Sequence, residues 1–231
     1  MTDAVPVVDA TRIAQGLKDT RARIDEACRL ALRDPAEVSL MAVSKRQPVE
    51  AMRAAFDAGQ RCFGENYVQE LVEKVQTLGP LEGLQLHLIG HLQRNKVRAV
   101  VAARAAVDTV DSLRLLDALG DECARKRIVL PICVQVNVAG EPQKSGCAPG
   151  DLEALVSAAR RCEAVRLEGL MAVPPAETAE QARPHFRALR ELAREHGLST
   201  LSMGMSADLE VAVAEGATCV RVGTAIFGAR S

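Results

Sequence analysis

Short apolar runs and amphipathic stretches alternate along the whole of this 231-residue chain. Most of the apolar runs contain β-branched residues and are apolar at successive positions, which is typical of parallel strands covered by helices on both faces. The sequence contains eight such runs, at 38–43, 61–64, 86–90, 106–110, 129–137, 167–173, 201–203 and 217–227. This repetition restricts the fold more than any other feature of the chain.

Helical patterns fill the intervals between the runs. We expect helices at 48–58, 67–78, 95–102, 113–127, 151–162, 179–196 and 207–215, with an extra N-terminal helix at about 9–32. Eight strand–helix units in fewer than 250 residues predict an α/β fold, a single (β/α)8 TIM barrel domain spanning 1–231. An open doubly wound sheet is the alternative. It usually has a glycine-rich loop after its first strand, where this chain has Ser44-Lys45-Arg46.

Composition excludes several classes of function. Lys and Arg number 29 against 30 Asp and Glu, so nothing favours the capture of nucleic acid. No apolar run reaches the length of about 18 residues that a membrane span needs, and the acidic first residues do not resemble a signal peptide. Seven scattered cysteines without C-x-x-C pairs favour reduced thiols in the cytoplasm over disulfides or zinc. Because no exposed apolar face stands out, we expect a monomer.

A lysine stands where a barrel places its reactive groups, at the carboxyl end of a strand. Lys45 ends the buried apolar run of the first strand, where an ammonium is costly to desolvate. Desolvation and cationic neighbours, Arg221 and then Lys144, would lower its pKa from about 10.4, as a Schiff-base lysine requires. The alternative is a lysine whose stem lies along the strand end while its ammonium reaches solvent.

The loops after the seventh and eighth strands form the usual phosphate site of such a barrel. Ser206 begins a helical segment that it could cap, leaving the first N–H groups free for an anion. Gly204, Gly223 and Thr224 add small residues and backbone donors, although each glycine alone is also compatible with an ordinary turn. A reactive lysine together with a phosphate site predicts pyridoxal phosphate as cofactor.

Other catalytic patterns are weaker. His87 and His91 are separated by a strand end and would not share a helix face as metal ligands, so we expect no metal site. Ser202 and Ser206 lack a G-x-S-x-G turn, which argues against an acyl-transfer nucleophile.

From about residue 13 to residue 230, the chain resembles the pyridoxal phosphate homeostasis proteins. The matching motifs are MAVSK at 41–45, FGENYVQE at 63–70, HLIGHLQ at 87–93, KSG at 144–146, GLMAVP at 169–174, LSMGMS at 201–206 and RVGTAIFG at 221–228. The chain departs from the family pattern at Leu86 and Leu88, which replace the usual Trp and Phe, and at Arg94, often a Ser. These positions lie outside the lysine and phosphate motifs.

The resemblance implies a barrel like the N-terminal domain of alanine racemase (fold type III), with the cofactor bound to Lys45 as an internal aldimine. It implies a protein that holds, buffers or supplies pyridoxal phosphate, with PLP-dependent apoenzymes as possible partners and no established turnover. The residues it assigns to the cofactor are Lys45, Asn66, Lys144, Met205, Ser206, Arg221, Gly223 and Thr224. Among them, Arg221 is expected at the pyridine nitrogen and Lys144 on the loop after the fifth strand, where it could equally be a solvated surface lysine.

Two alternative functions stay open at this point. A PLP-dependent amino-acid racemase of the alanine racemase type would need a second base, a tyrosine that those enzymes take from a second domain; Tyr67 is the sole tyrosine here. A Schiff-base aldolase without cofactor would use Lys45 on a phosphosugar.

Overall fold

The computed structural model describes residues 8–141, 143–175 and 178–228. In this part of the chain, eight parallel strands close into a barrel in sequence order, which confirms the predicted (β/α)8 fold and excludes the open sheet. The strands are β1 Ser39–Val43, β2 Cys62–Glu65, β3 Gln85–Leu88, β4 Ala106–Val110, β5 Leu130–Gln135, β6 Val165–Met171, β7 Thr200–Ser202 and β8 Cys219–Val222. Residues 1–7 and 229–231, at the limits of the predicted domain and resemblance, lie outside the described residues.

Closure of the barrel brings the first and last strands side by side. In the parallel pairing of β1 with β8, Met41 lies opposite Arg221 and Ala42 opposite Val222. On its other side, β1 pairs with β2, where Ala42 lies opposite Phe63. The loops that follow β1, β2 and β8 therefore leave the barrel at one edge.

Helices surround the barrel. Within the described residues they are α1 Ala10–Leu30, α2 Val49–Asp57, α3 Val68–Leu78, α4 Val97–Ala102, α5 Leu113–Lys126, α6 Leu152–Arg161, α7 Ala179–Glu195, α8 Leu209–Ala214 and α9 Thr224–Phe227. Short 3-10 turns lie at Pro35–Glu37, Arg94–Lys96 and Pro149–Asp151. None of the described helices is long and apolar enough to cross a membrane.

The predicted run 217–227 is wrong as a single strand. The strand ends at Val222, and the backbone N–H groups of Ile226 and Phe227 then donate to the Gly223 carbonyl, which begins α9. Ile226 and Phe227 are buried because α9 packs against α1. The apolar side chains at these positions are therefore explained by the packing of α9 and not by an extension of β8.

Aliphatic side chains fill the space between the barrel and its helices. Aromatic residues make up 2% of the chain, so Val, Leu, Ile and Ala supply most of the core, with Phe63 and Phe186 fully buried among them. The extra helix α1 contributes a buried stripe that includes Ile13, Leu17 and Ile24. It packs against α2, α8 and α9 and so covers the helices on both sides of the β1–β8 junction.

Gly16 allows α1 to approach α9 closely. A Cβ at this position would lie 2.6 Å from the Ala225 carbonyl oxygen and 2.9 Å from the Ile226 Cα. Both of these atoms belong to the backbone of α9, so the clash can be relieved only by moving a helix.

We expect Gly16→Ala to lower the free energy of unfolding, measured by urea denaturation. Alanine favours a helix by about 1 kcal/mol over glycine, but overpacking against backbone costs about 1–3 kcal/mol. Lys18→Ala, an exposed change on the same helix, is the control and should stay within about 0.5 kcal/mol of wild type. A Gly16→Ala protein more stable than wild type would contradict this account of the α1–α9 contact.

Candidate functional site

Lys45 lies at the carboxyl end of β1, two residues beyond the last strand residue. Val43 ends the strand, Ser44 is fully buried, and Lys45 begins a turn with its side chain partly exposed. The lysine lines a small recess of about 30 Å³, and the other lining residues are Val43, Gln47, Gly223, Thr224 and Gly228. The structure therefore brings together three of the residues predicted for the site: Lys45, Gly223 and Thr224.

A buried polar network holds the backbone just before Lys45. The Ser44 backbone N–H donates to the Gly64 carbonyl at 3.0 Å, and its hydroxyl donates to Glu65 Oε1 at 2.6 Å. Lys74 Nζ, on α3, donates to the Ser44 carbonyl at 2.6 Å and to Glu65 Oε1 at 2.7 Å. These bonds join the ends of β1 and β2 to α3, so Lys45 projects from a point that is anchored on two sides.

Glu65 is the electrostatic centre of this network. Its side chain is completely buried, and its Oε2 accepts no hydrogen bond from any residue that the structure describes. Burial raises the pKa of Glu65 above its ordinary value, while the charge and hydrogen bond of Lys74 pull that pKa down. Lys74 also bonds to Glu70 at 2.8 Å, so one ammonium serves two carboxylates.

The sequence interpretation missed this network. Two signals were present: Glu65 directly follows the apolar run 61–64, and Glu70 and Lys74 stand four residues apart on one helix. Such a spacing is common on solvated helix faces, and only the tertiary fold shows that Lys74 points inward.

The turn after Lys45 contains backbone strain. Arg46 has φ +58°, a left-handed conformation that disfavours residues with a side chain. Its backbone N–H donates to Glu70 Oε1 at 2.5 Å, and its guanidinium lies 5.7 Å from the centre of the Tyr67 ring. Glu70 and Tyr67 thus stabilise the conformation that the turn requires. Tyr67 is exposed, with its hydroxyl 3.3 Å from Arg46 Nη2.

The loop after β7 differs from its prediction. Ser206 does not cap α8, because the helix begins at Leu209 with Asp208 at the N-cap position. Met205, one of the residues assigned to the cofactor, donates its backbone N–H to Asp208 Oδ1 at 2.5 Å. Asp208 binds back to its own turn in this way, a common competitor of simple helix capping. The Ser206 carbonyl accepts a hydrogen bond of 3.0 Å from Arg23 on α1.

Gly204 makes this loop possible. Its φ is +90°, and a Cβ there would lie 2.4 Å from the Ala212 Cβ. Its carbonyl accepts a hydrogen bond from the Arg221 backbone N–H at 3.0 Å, which ties the loop to β8.

Arg221 lies inside the barrel on β8. Its guanidinium donates to Ser202 Oγ and to the Ala172 carbonyl, each at 2.8 Å. Burial lowers the pKa of Arg221 from its ordinary value, but a guanidinium stays protonated in proteins. The barrel therefore holds a permanent cation on the strand that leads to Gly223.

The other five predicted site residues do not line the recess: Asn66, Lys144, Met205, Ser206 and Arg221. Asn66 follows β2. Its carbonyl oxygen would lie 2.1 Å from a Cβ at Gly90, so the loop after β3 can approach Asn66 this closely only with a glycine at position 90. Lys144 Nζ lies 3.7 Å from Glu141 Oε2 on its own loop, with about a third of its side chain exposed.

Comparison with known proteins identifies a family. A family model for the N-terminal domain of alanine racemase matches residues 17–231. A protein of Pseudomonas aeruginosa named pyridoxal phosphate homeostasis protein is 50% identical over 222 residues, covering 94% of this chain and 96% of that protein. A protein of the same name from Escherichia coli is 43% identical over 229 residues, covering 94% and 97%.

Solved structures show the same barrel. PipY of Synechococcus elongatus with PLP bound has a TM-score of 0.82 and 37% identity, covering 94% of this chain and 100% of that one. The alanine racemase of Bartonella henselae with covalently bound pyridoxal phosphate has a TM-score of 0.75 at 15% identity, covering 96% of this chain and 60% of the enzyme. At that identity the likeness to the racemase extends to the fold alone.

The Glu65–Lys74 pair predicts a pH-dependent stability. Because the pKa of Glu65 is raised on folding, the folded protein holds the proton more tightly, and stability falls as the pH rises above the ordinary value of 4.5. Lys74→Met removes the cation that lowers this pKa, so the decrease in stability with rising pH should become larger. We expect a loss of about 3 kcal/mol in unfolding free energy at about pH 8 and a smaller loss at about pH 5.

Urea denaturation at the two pH values measures this effect. Lys18→Met, an exposed lysine change, serves as control. The double variant Glu65→Gln, Lys74→Met should lose the added pH dependence, since the amide does not titrate. An equally steep dependence in the double variant would assign the effect to another group.

Proposed function

This chain belongs to the family of pyridoxal phosphate homeostasis proteins, and we propose that it binds pyridoxal phosphate reversibly and buffers or supplies it. The observation that carries the proposal is that Lys45 lines the same recess as Gly223 and Thr224. An amine and a loop of small residues at one mouth are the two features that the cofactor needs. PipY, 37% identical to this chain, has a structure with PLP bound.

The chemistry of the donors fits this cofactor. Lys45 supplies a primary amine, and Thr224 supplies a hydroxyl and a backbone N–H beside it. Gly223 lets its loop pass close to the end of β1, because a Cβ there would lie 3.0 Å from the Val43 carbonyl oxygen. When bound, pyridoxal phosphate supplies an aldehyde for an amine, a phosphate dianion and a pyridine nitrogen.

Each of these groups has a proposed counterpart in the chain. Lys45 would supply the amine that bonds to the aldehyde, and the Ser44–Glu65–Lys74 network keeps the lysine's backbone in place. Thr224 and Ser206 donate to the phosphate, with Gly223 and Met205 beside them. Met205 lies beside the phosphate in this proposal but does not donate its backbone N–H to it, because that N–H is already bound to Asp208. Arg221 would donate to the pyridine nitrogen, and its permanent charge would keep that nitrogen unprotonated.

In this proposal the two remaining site residues, Asn66 and Lys144, lie at the edge of the cofactor site. Asn66 follows β2 at the same edge as Lys45. Lys144, paired with Glu141 on its loop, attracts the phosphate during entry or exit. Both assignments rest on the family motifs that contain them.

We further propose that the chain performs no racemase turnover. Its relatives carry the name homeostasis protein. Tyr67, the sole tyrosine, is engaged with Arg46 and does not line the recess, so it is not placed as a second base. An unprotonated pyridine nitrogen also weakens the cofactor as an electron sink. PLP-dependent apoenzymes are the proposed recipients.

The first test is the attachment point. After loading with pyridoxal phosphate and reduction with borohydride, we expect the label on the peptide containing Lys45, measured by mass spectrometry. Lys45→Ala should lose the label and retain the fold, because a turn side chain contributes little to the core. Lys144→Ala, the matched control, should keep it. Labelling of another lysine in the wild-type protein would overturn the assignment.

The second test concerns the phosphate. Thr224→Val preserves shape but removes a charge-assisted hydrogen bond, so the affinity for pyridoxal phosphate should fall about ten- to a hundred-fold. Pyridoxal, which lacks the phosphate, should bind both proteins equally in the same titration. Thr77→Val, at an exposed hydroxyl on α3, is the control. Equal losses for both ligands would show that Thr224 does not contact the phosphate.

A further inference from the structure

A second cavity lies at the opposite end of the barrel from Lys45. Its volume is about 550 Å³, within the range of about 300–1,000 Å³ typical of small-molecule sites. The lining includes the first residue of several strands, at Ser39, Cys62, Gln85, Ala106 and Cys219. It therefore opens at the amino-terminal mouth, and its lining shares no residue with the recess at Lys45.

A cysteine, a histidine and an aspartate meet in this cavity. His87 Nδ1 lies 2.9 Å from Asp108 Oδ1, and Asp108 is almost fully buried. Cys62 lines the same cavity, and on the adjoining strand it lies opposite Gln85, two residues before His87. The three residues come from the neighbouring strands β2, β3 and β4, so their order around the barrel places the imidazole between thiol and carboxylate.

The electrostatics of the cavity favour a charged imidazole. Burial opposes the charge, but Asp108 and Cys62 outweigh it and raise the pKa of His87 well above its ordinary value. The other charged or titratable groups that face this cavity or lie beside Asp108 are Glu37, Arg104, Cys133, Arg166, Glu168, Cys219 and Arg221. Both signs of charge thus occur around the thiol, as a zwitterionic ligand would require.

Cys62 is also more accessible than most of the cysteines. All seven lie in the described part of the chain and are free thiols; five are buried, and Cys62 and Cys162 are partly exposed. Cys162 lies on the outer surface of the barrel, beside Gly120 and Cys123 of α5. Cys162 therefore serves as an internal comparison for Cys62, the partly exposed thiol that lines the same cavity as His87.

We propose that Cys62 is a thiol modification site, which forms a mixed disulfide with small zwitterionic peptide disulfides that enter this cavity. The Cys62 thiol gives its proton to water, and the thiolate lies in the cavity that the His87–Asp108 pair also lines. The thiolate attacks one sulfur of the incoming disulfide R–S–S–R. A bond forms between Cys62 Sγ and that sulfur, the S–S bond breaks, and the leaving thiolate takes a proton to become RSH. Cys62 is oxidised and one half of the disulfide is reduced.

The test uses oxidised glutathione as the probe on the intact wild-type chain. After timed incubation at neutral pH, the remaining thiols are blocked with N-ethylmaleimide and the peptides are quantified by mass spectrometry. We expect Cys62 to form the mixed disulfide at least about tenfold faster than Cys162. A Cys62 rate equal to or below that of Cys162 would overturn the proposal.

His87→Gln identifies the source of the difference. This variant should reduce the Cys62 rate to about that of Cys162 and leave the Cys162 rate unchanged, which also reports that the fold is intact. His91→Gln, an exposed histidine paired with Asp111, is the matched control and should change neither rate. A fast Cys62 in His87→Gln would overturn the role of the imidazole, and the wild-type comparison remains decisive if that variant does not fold.

Discussion

Closure of the barrel depends on the pairing of β1 with β8, which runs from Ser39 opposite Cys219 to Ala42 opposite Val222. The same pairing determines where the chemistry lies, because the segments after Ala42 and Val222 leave the barrel side by side. Lys45 and Thr224 share a recess for this reason, although 178 residues of sequence separate them. A shift of one residue in this register would turn the inward side chains of β1 outward.

Buried charged groups at the carboxyl end of the barrel fix the backbone position from which Lys45 projects. Glu65 and Lys74 are both nearly inaccessible to solvent, and each would be costly to bury alone. Together with Ser44 they form hydrogen bonds through Glu65 Oε1 and link two strands to α3. The strained backbone of Arg46 is tolerated because Glu70, a member of the same network, binds its N–H. A fixed backbone before a short turn suits the lysine that we propose as the attachment point of the cofactor.

Much of this arrangement can be predicted from the sequence. Eight apolar runs indicate the barrel, and the rule that active groups follow barrel strands brings Lys45, Gly223 and Thr224 to one mouth. The start of α8 could not be predicted, because Asp208 rather than Ser206 takes the N-cap and only backbone geometry decides between them. The inward direction of Lys74 and the shared cavity of Cys62 and His87 depend on how the elements pack together, for which the local sequence pattern carries no signal.

The central claim is that this chain holds pyridoxal phosphate and can release it to an enzyme. The most direct measurement mixes the loaded protein, freed of excess cofactor, with an apoenzyme that requires pyridoxal phosphate, and follows the return of enzyme activity with time. The account predicts that activity returns and that the loaded protein loses the same amount of cofactor. An apoenzyme that stays inactive through a long incubation, while the protein keeps its cofactor, would contradict it.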